Sequence, residues 1–599
     1  MLKTIFSDTY EEFYKPWLPR LKNNQVRLYN FSVKSQSQFS DIAMHRAYQI
    51  LLISAPLITL GVNPWTSYDP ISLPKMLILS SFAFSLGFIL LSRGREVYKK
   101  LPRNIWLVFL TFSLWLIISM LFSGAPLHQQ FWGSFGRNTG ILTYISLLTI
   151  LISTAILSSR DYYAGLTKTL VGTALPMTAY CLVQMAGKDP IGWSEYATFG
   201  TLGNVNFLSA FFGMTSIACL ALASHKRFKA MTRLFLFLLG LLDIYIAYST
   251  GSIQGVIIFA AGLFSLVLIR LRYYKTKLQP LFLSAYFVTL ATSVGAGILG
   301  LLNRGPLAPI LYQQSLIFRT DYIHAGWEMT SRNPLFGVGL DSYGDWYRES
   351  RGEISTLRAG VDRIANSAHN IFLDVSSNGG VVLGISFLAI VLIAGISAIR
   401  FIKFESQFDP YFAAIASVWF AYQIQALVSI NQIGVGVWGW LLSGALIGYG
   451  QLSRKASQQE DSASRKPVSK KSYRGAQLSA KDSVAAISGF ALGLLIAAPP
   501  VSADIGYRTA NLTGDIARIT TAVNKPGGTQ FHKELALDFA MRNNREAEVG
   551  SLAKALVLEY PRSFFGWRVL SVLTASTPEE RELALIKARE LDPFNPELG

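Results

Sequence analysis

Cysteine is nearly absent from this chain: of 599 residues only Cys181 and Cys219 are cysteine, and both lie inside apolar runs. That excludes a disulfide framework and a cysteine-held metal centre. Charge is scarce as well, at 15%, whereas hydrophobic residues make up 51%. Apolar runs close to bilayer-spanning length recur along the sequence, which excludes a single soluble domain. Histidine is rare too, six in all, with no pair at metal-ligand spacing in the polar segments. A glycine-rich phosphate loop followed by Lys and Ser or Thr is missing, as is an Asp-x-Asp pair. Chemistry that leans on a metal, a nucleotide or another cofactor therefore has no recognisable ligand set.

Acidic residues are outnumbered, 36 against 54 basic ones, for a net charge of +18. Such an excess could serve nucleic acid, but the basic residues fall in alternate connecting segments, the pattern of a membrane protein with its positive loops on one side. The reading is an all-α, polytopic helical membrane protein that binds no nucleic acid. Apolar runs at about 47–62, 74–91, 105–122, 139–157, 166–186, 202–223, 234–247, 252–269, 281–301, 380–399, 411–430, 434–450 and 484–498 make thirteen expected crossings. The expected organisation is a cytoplasmic tail at 1–46, without the features of a cleaved signal peptide, and a membrane domain at 47–452. A basic cytoplasmic linker at 453–483, a last span at 484–502 and an extracytoplasmic helical domain at 503–599 would follow. In that last part, Lys554–Pro561 and Lys587–Pro593 end alike about 32 residues apart, near the period of a tetratricopeptide repeat, which suggests a surface for a protein partner.

The long polar segment from Leu302 to Asn378 is expected outside. It carries seven arginines and no lysine. Arginine grips phosphate or carboxylate with a planar fork of donors, so the bias suits an anionic ligand; eight carboxylates in the same segment offer ordinary pairing instead. Arg319 is the expected exception, at the head of an amphipathic helix over 315–330 that would lie on the bilayer surface and stop at Asn333-Pro334. His369 follows Ser367, a candidate cap for the next helix. A neutral imidazole at a helix start could take a proton from an alcohol, or could simply serve as a capping residue. Asp243, inside an apolar run, is either part of a proton or ion path or a bond between neighbouring helices.

Three motifs in order carry a family resemblance: Gly203-Asn-Val-Asn-Phe-Leu208, Trp327 followed by Asn333-Pro-Leu-Phe-Gly-Val-Gly339, and Ala368-His-Asn-Ile-Phe-Leu373. With a large segment between late spans, the chain resembles the O-antigen ligase and O-antigen polymerase superfamily. These multi-span bacterial enzymes act on undecaprenyl-pyrophosphate-linked glycans outside the cytoplasmic (inner) membrane. The resemblance implies an inverting, metal-independent glycosyl transfer without a cofactor, from a lipid-linked oligosaccharide donor to a glycan, lipid or protein acceptor. It implies His369 as the base and Arg319 as a pyrophosphate ligand, with Arg137, in Gly136-Arg-Asn-Thr-Gly140, as a second. Asn370, Asn204 and Asn206 are the further substrate-binding candidates. A glutamate often seen before the glycine that begins the late span is replaced here by Ser376-Ser-Asn378. Ligation, polymerisation and transfer to protein remain open, as do transport of a small anion or glycan and a non-catalytic assembly role.

Overall fold

The computed structural model describes residues 43–157, 159–193, 197–460 and 480–598. Most of the expected N-terminal tail and of the basic linker lies outside them. Among the described residues there is no strand, and eleven helices are long and apolar enough to cross a membrane. A shorter apolar helix, Ile141–Ala155, and a helix over 43–60 fall on two further expected crossings. The chain is a polytopic helical membrane protein. At its centre stands the helix Ile433–Arg454, buried from residue 433 to residue 450, whereas Gln279–Leu301 lies on the periphery.

The last long helix, Ala480–Thr513, lies along Ser72–Ser92. Glycine makes the approach possible: a Cβ on Gly489 would fall 2.4 Å from the Phe84 carbonyl oxygen, and one on Gly493 2.5 Å from that of Ser80. Small residues four apart let backbones meet where lipid supplies no hydrophobic drive. Arg93 then bonds Asp482 at 2.8 Å and ties down the start of the helix. Instead of ending near 498, the helix runs on through Pro499 and Pro500. Pro500 has no N–H for the Ile496 carbonyl, and the Trp132 indole donates to that oxygen at 2.9 Å in its place.

The late span also differs from its expected start at residue 380. The helix Ile371–Phe404 begins nine residues earlier and breaks at Gly380, where φ is 82°. A broken helix leaves peptide groups to satisfy. Val381 N–H donates to the Pro334 carbonyl, while Val338 and Gly339 N–H groups donate to those of Ser377 and Asn378. The Trp115 indole reaches the carbonyls of Leu335 and Gly379, both at 3.1 Å. The Asn-Pro-Leu-Phe-Gly-Val-Gly motif is thus the turn whose backbone satisfies the break.

The segment from 302 to 378 is more ordered than a loop. It holds the helices Ala308–Leu311, Gln314–Arg332, Tyr343–Ser350 and Glu353–Ala359. Ala325, Met329, Val338, Tyr343, Tyr347 and Ala368 give it a core of its own. On Gln314–Arg332 the inner face is Tyr322, Ala325 and Met329; Ile323 and Trp327, four apart, point outward and are exposed. Beyond Thr513 come Ile516–Val523, Gln530–Arg542, Glu546–Glu559, Phe564–Val572 and Pro578–Leu591, each packed on the next.

Candidate functional site

The 366–370 turn is shaped by a carboxylate. Asp374, in the first turn of the following helix, accepts hydrogen bonds from the Ser367 hydroxyl at 2.5 Å and from the Ala368 N–H at 2.8 Å. Ser367 Oγ in turn accepts from the His369 N–H at 3.1 Å. Ser367 is therefore not the helix cap: that place is taken by Asn370, whose side chain accepts from the Leu373 N–H. His369 lies one residue before the cap with φ 52°, in the left-handed region that non-glycine residues rarely adopt.

Arg137 fills the space behind the turn. It is buried, donates to the Asn366 carbonyl at 2.9 Å and pairs with Asp374 and Asp341, each at 3.3 Å. Asp341 also accepts from the N–H groups of Ser134 and Thr139. Asn138, Asp341 and His369 are three of the five non-glycine residues with positive φ among the described residues. Backbone strain is thus gathered around one guanidinium, as it is at functional sites, where the surroundings must over-determine the geometry.

The His369 ring lies over Tyr322, with centroids 5.1 Å apart. Neither ring nitrogen has a hydrogen-bond partner among the described residues. Burial first, then the charges of Arg319 and Arg137, push the imidazole down to about 4. At neutral pH the ring is uncharged, with a nitrogen free to accept a proton. Arg319 has no carboxylate partner among the described residues. Its guanidinium reaches only the Gln254 side-chain oxygen, at 3.4 Å, and Gln254 itself bonds Gln425. Arg363 is a second guanidinium without a carboxylate partner among the described residues; it lies 3.9 Å above the Phe318 ring.

The remaining arginines of the segment are spent otherwise, Arg304 apart. Arg332 pairs with Glu328 and Glu349, and Arg358 with Asp321. Arg348 and Arg351 both hold Asp592, far along the chain, at 2.9 and 2.8 Å. Pairing within the segment was expected on a solvated surface; in fact Arg351 and Asp592 are buried and join the segment to the C-terminal helices. Arg562 extends this contact through Glu349 and the Trp346 ring, and the His128 ring nitrogen meets the Tyr560 hydroxyl at 2.5 Å. Asp504 accepts from the N–H groups of Tyr68 and Asp69, which anchors the same body at its base.

Asn204 and Asn206 stand apart from this cluster. Asn204 caps the helix Val205–Ala223, and Asn206 accepts from the Ser252 hydroxyl at 2.7 Å. Asp243 accepts from Thr178 and Thr215 hydroxyls at 2.8 and 2.7 Å, joining three helices. Sequence reasoning missed Asp374 and Asp341 as partners of Arg137. The one signal available was that Asp374 closes the His-Asn motif, five residues after His369.

Residues 235–388 match the family model described as O-antigen ligase. The resemblance to the O-antigen ligase superfamily thus holds over the stretch that contains Arg319, the Asn-Pro-Leu-Phe-Gly motif, His369 and Asp374, and it supports an activity of the ligase or related polymerase type. Arg137, Asn204, Asn206 and the C-terminal helices lie outside the match. No curated protein matches the chain.

Proposed function

We propose that the chain transfers a glycan from an undecaprenyl-pyrophosphate-linked donor to an acceptor hydroxyl on the outer face of the bacterial cytoplasmic membrane. His369 is the general base and Arg319 binds the pyrophosphate. The observation that carries the reading is an uncharged, unbonded imidazole on a strained turn next to a guanidinium without a carboxylate partner. The acceptor oxygen bonds the anomeric carbon as its proton passes to the ring nitrogen. The carbon–oxygen bond to phosphate breaks, and its electron pair leaves with the lipid pyrophosphate. A single displacement inverts the configuration. It suits this site because the carboxylate that shapes the turn, Asp374, is occupied by Ser367, Ala368 and Arg137 and offers no enzymic nucleophile.

Charge couples the two halves of the reaction. An unoccupied Arg319 depresses the imidazole, and a pyrophosphate seated on it cancels that field and raises the basicity of His369 when the acceptor must be deprotonated. Arg137 acts through the turn: its hydrogen bonds hold Asn366 and Asp374, and its charge bears on the same ring. Asn370 fixes the helix start beneath it. On this reading the polar segment and the C-terminal helices face outward, the Lys-rich segments face the cytoplasm, and the C-terminal helices form a tetratricopeptide-like module. The acceptor is lipid core, growing polymer or protein.

The test is transfer by the purified chain in lipid, supplied with lipid-linked donor and acceptor. His369→Ala is expected to lose about a hundredfold to ten-thousandfold, the worth of a positioned base. Wild-type rates in a folded His369→Ala protein would overturn the assignment.

A further inference from the structure

A cleft of about 380 Å3 lies between the polar segment and the C-terminal helices. It is within the roughly 300–1,000 Å3 typical of small-molecule sites. Asn366 and Asp341 line it, two of the three groups that Arg137 holds behind the His369 turn. Arg319, Gln254, Tyr322 and the His369 ring do not line it, and of the turn only Asn366 does. The cleft is therefore a second approach to the turn, separate from the place assigned to pyrophosphate.

Its walls carry paired amides and carboxyls. Gln129 donates to Asp345 at 2.6 Å from one side, and Gln530 to Glu534 at 2.9 Å from the other. Burial pushes the Asp345 carboxyl up to about 7 and raises that of Glu534, and both carboxyls accept hydrogen bonds from the walls. Arg568 also lines the cleft, and its guanidinium has no hydrogen bond or ion pair among the described residues. Trp132, Phe531 and Phe565 add flat apolar surface.

This lining discriminates among ligand classes. Carboxyls on both walls, with Arg348 held by Asp592 and Arg562 by Glu349, oppose a polyanion, and the polar groups oppose a lipid tail. An amphipathic helix would need a groove without buried carboxyls. A sugar ring fits, since it presents hydroxyls that donate and accept around its rim and an apolar C–H face for an aromatic ring. We propose that the cleft binds a saccharide chain, the acceptor glycan, and presents its terminal hydroxyl toward the His369 turn. The role as acceptor site rests on the transfer reading above; the binding of saccharide does not.

The experiment uses the full chain in detergent micelles against a panel of lipid-free oligosaccharides about two to six sugars long, with synthetic peptides beside them. The expected result is binding of one or more oligosaccharides that weakens about tenfold or more in Arg568→Gln and in Gln530→Ala, the loss of one or two hydrogen bonds to the ligand. Binding of no oligosaccharide, binding of peptides in their place, or wild-type affinity in both folded cleft variants would overturn the proposal. Saccharide binding together with undiminished transfer by His369→Ala would leave the cleft standing and remove the base, so the two failures are distinct.

Discussion

Replacing Arg319 with Gln keeps a hydrogen-bonding side chain but removes a charge that acts on His369. Burial, Arg319 and Arg137, in that order, lower the imidazole from 6.5 to about 4, a drop of about 2.5. Worth about 1.36 kcal/mol per pKa unit, the drop disfavours the imidazolium by roughly 3 kcal/mol. The second of three contributions cannot exceed half of the total, so Arg319→Gln is expected to raise the His369 pKa by roughly one pH unit at most. The group is a base whose folded value lies below its ordinary one; it is neutral at pH 7 in both proteins and charges only as the pH falls toward about 4. The readout is the rate at which diethyl pyrocarbonate modifies His369 between about pH 4 and pH 8, followed by mass spectrometry of the peptide that contains it. Wild-type protein should stay reactive to lower pH than Arg319→Gln. Addition of lipid-linked donor should shift the wild-type curve upward and leave the variant unmoved. Superposable curves for the two proteins without donor would refute the electrostatic coupling.

Other expectations follow from the same contacts. Asp592→Ala strips the partner from buried Arg351 and from Arg348 and should cost about 3–5 kcal/mol at the junction; protease cleavage within 503–598 should rise sharply, and an unchanged digestion pattern would count against docking. Gly380→Ala forces a side chain onto φ 82° and a Cβ to 1.9 Å from the Leu335 carbonyl. Strain of about 1–3 kcal/mol from the backbone alone should lower the melting temperature or the yield of monodisperse protein, and normal behaviour would contradict the packing of the break. Asp243→Asn keeps an oxygen for one of its threonine partners, so transfer should stay within a few-fold of wild type; loss of transfer would place this carboxylate in the reaction path.

The sequence by itself determined the class of the molecule. Thirteen apolar runs became helices because a segment in lipid has to satisfy its own backbone, and composition alone reports such runs. His369 and Arg319, proposed as base and pyrophosphate ligand, could be singled out from the sequence because each sits in or beside a short motif whose residues are neighbours in the chain. What only the tertiary structure decided were partnerships across long separations. Arg137 was expected as a second pyrophosphate ligand, yet it lies between Asp341 and Asp374, more than 200 residues away in the chain. Arg348 and Arg351 looked like ligand-binding charges or surface pairs until Asp592 met them. The early start of the helix at Ile371 and its break at Gly380 depend on the Asn-Pro-Leu-Phe-Gly-Val-Gly backbone filling the gap, and Gly489 and Gly493 gained meaning only with Ser72–Ser92 pressed against them. Hydropathy is a property of each residue and survives in the linear order. Which charge is cancelled and which is left free for a ligand depends on what the fold carries to within a few ångströms, and no local pattern records that.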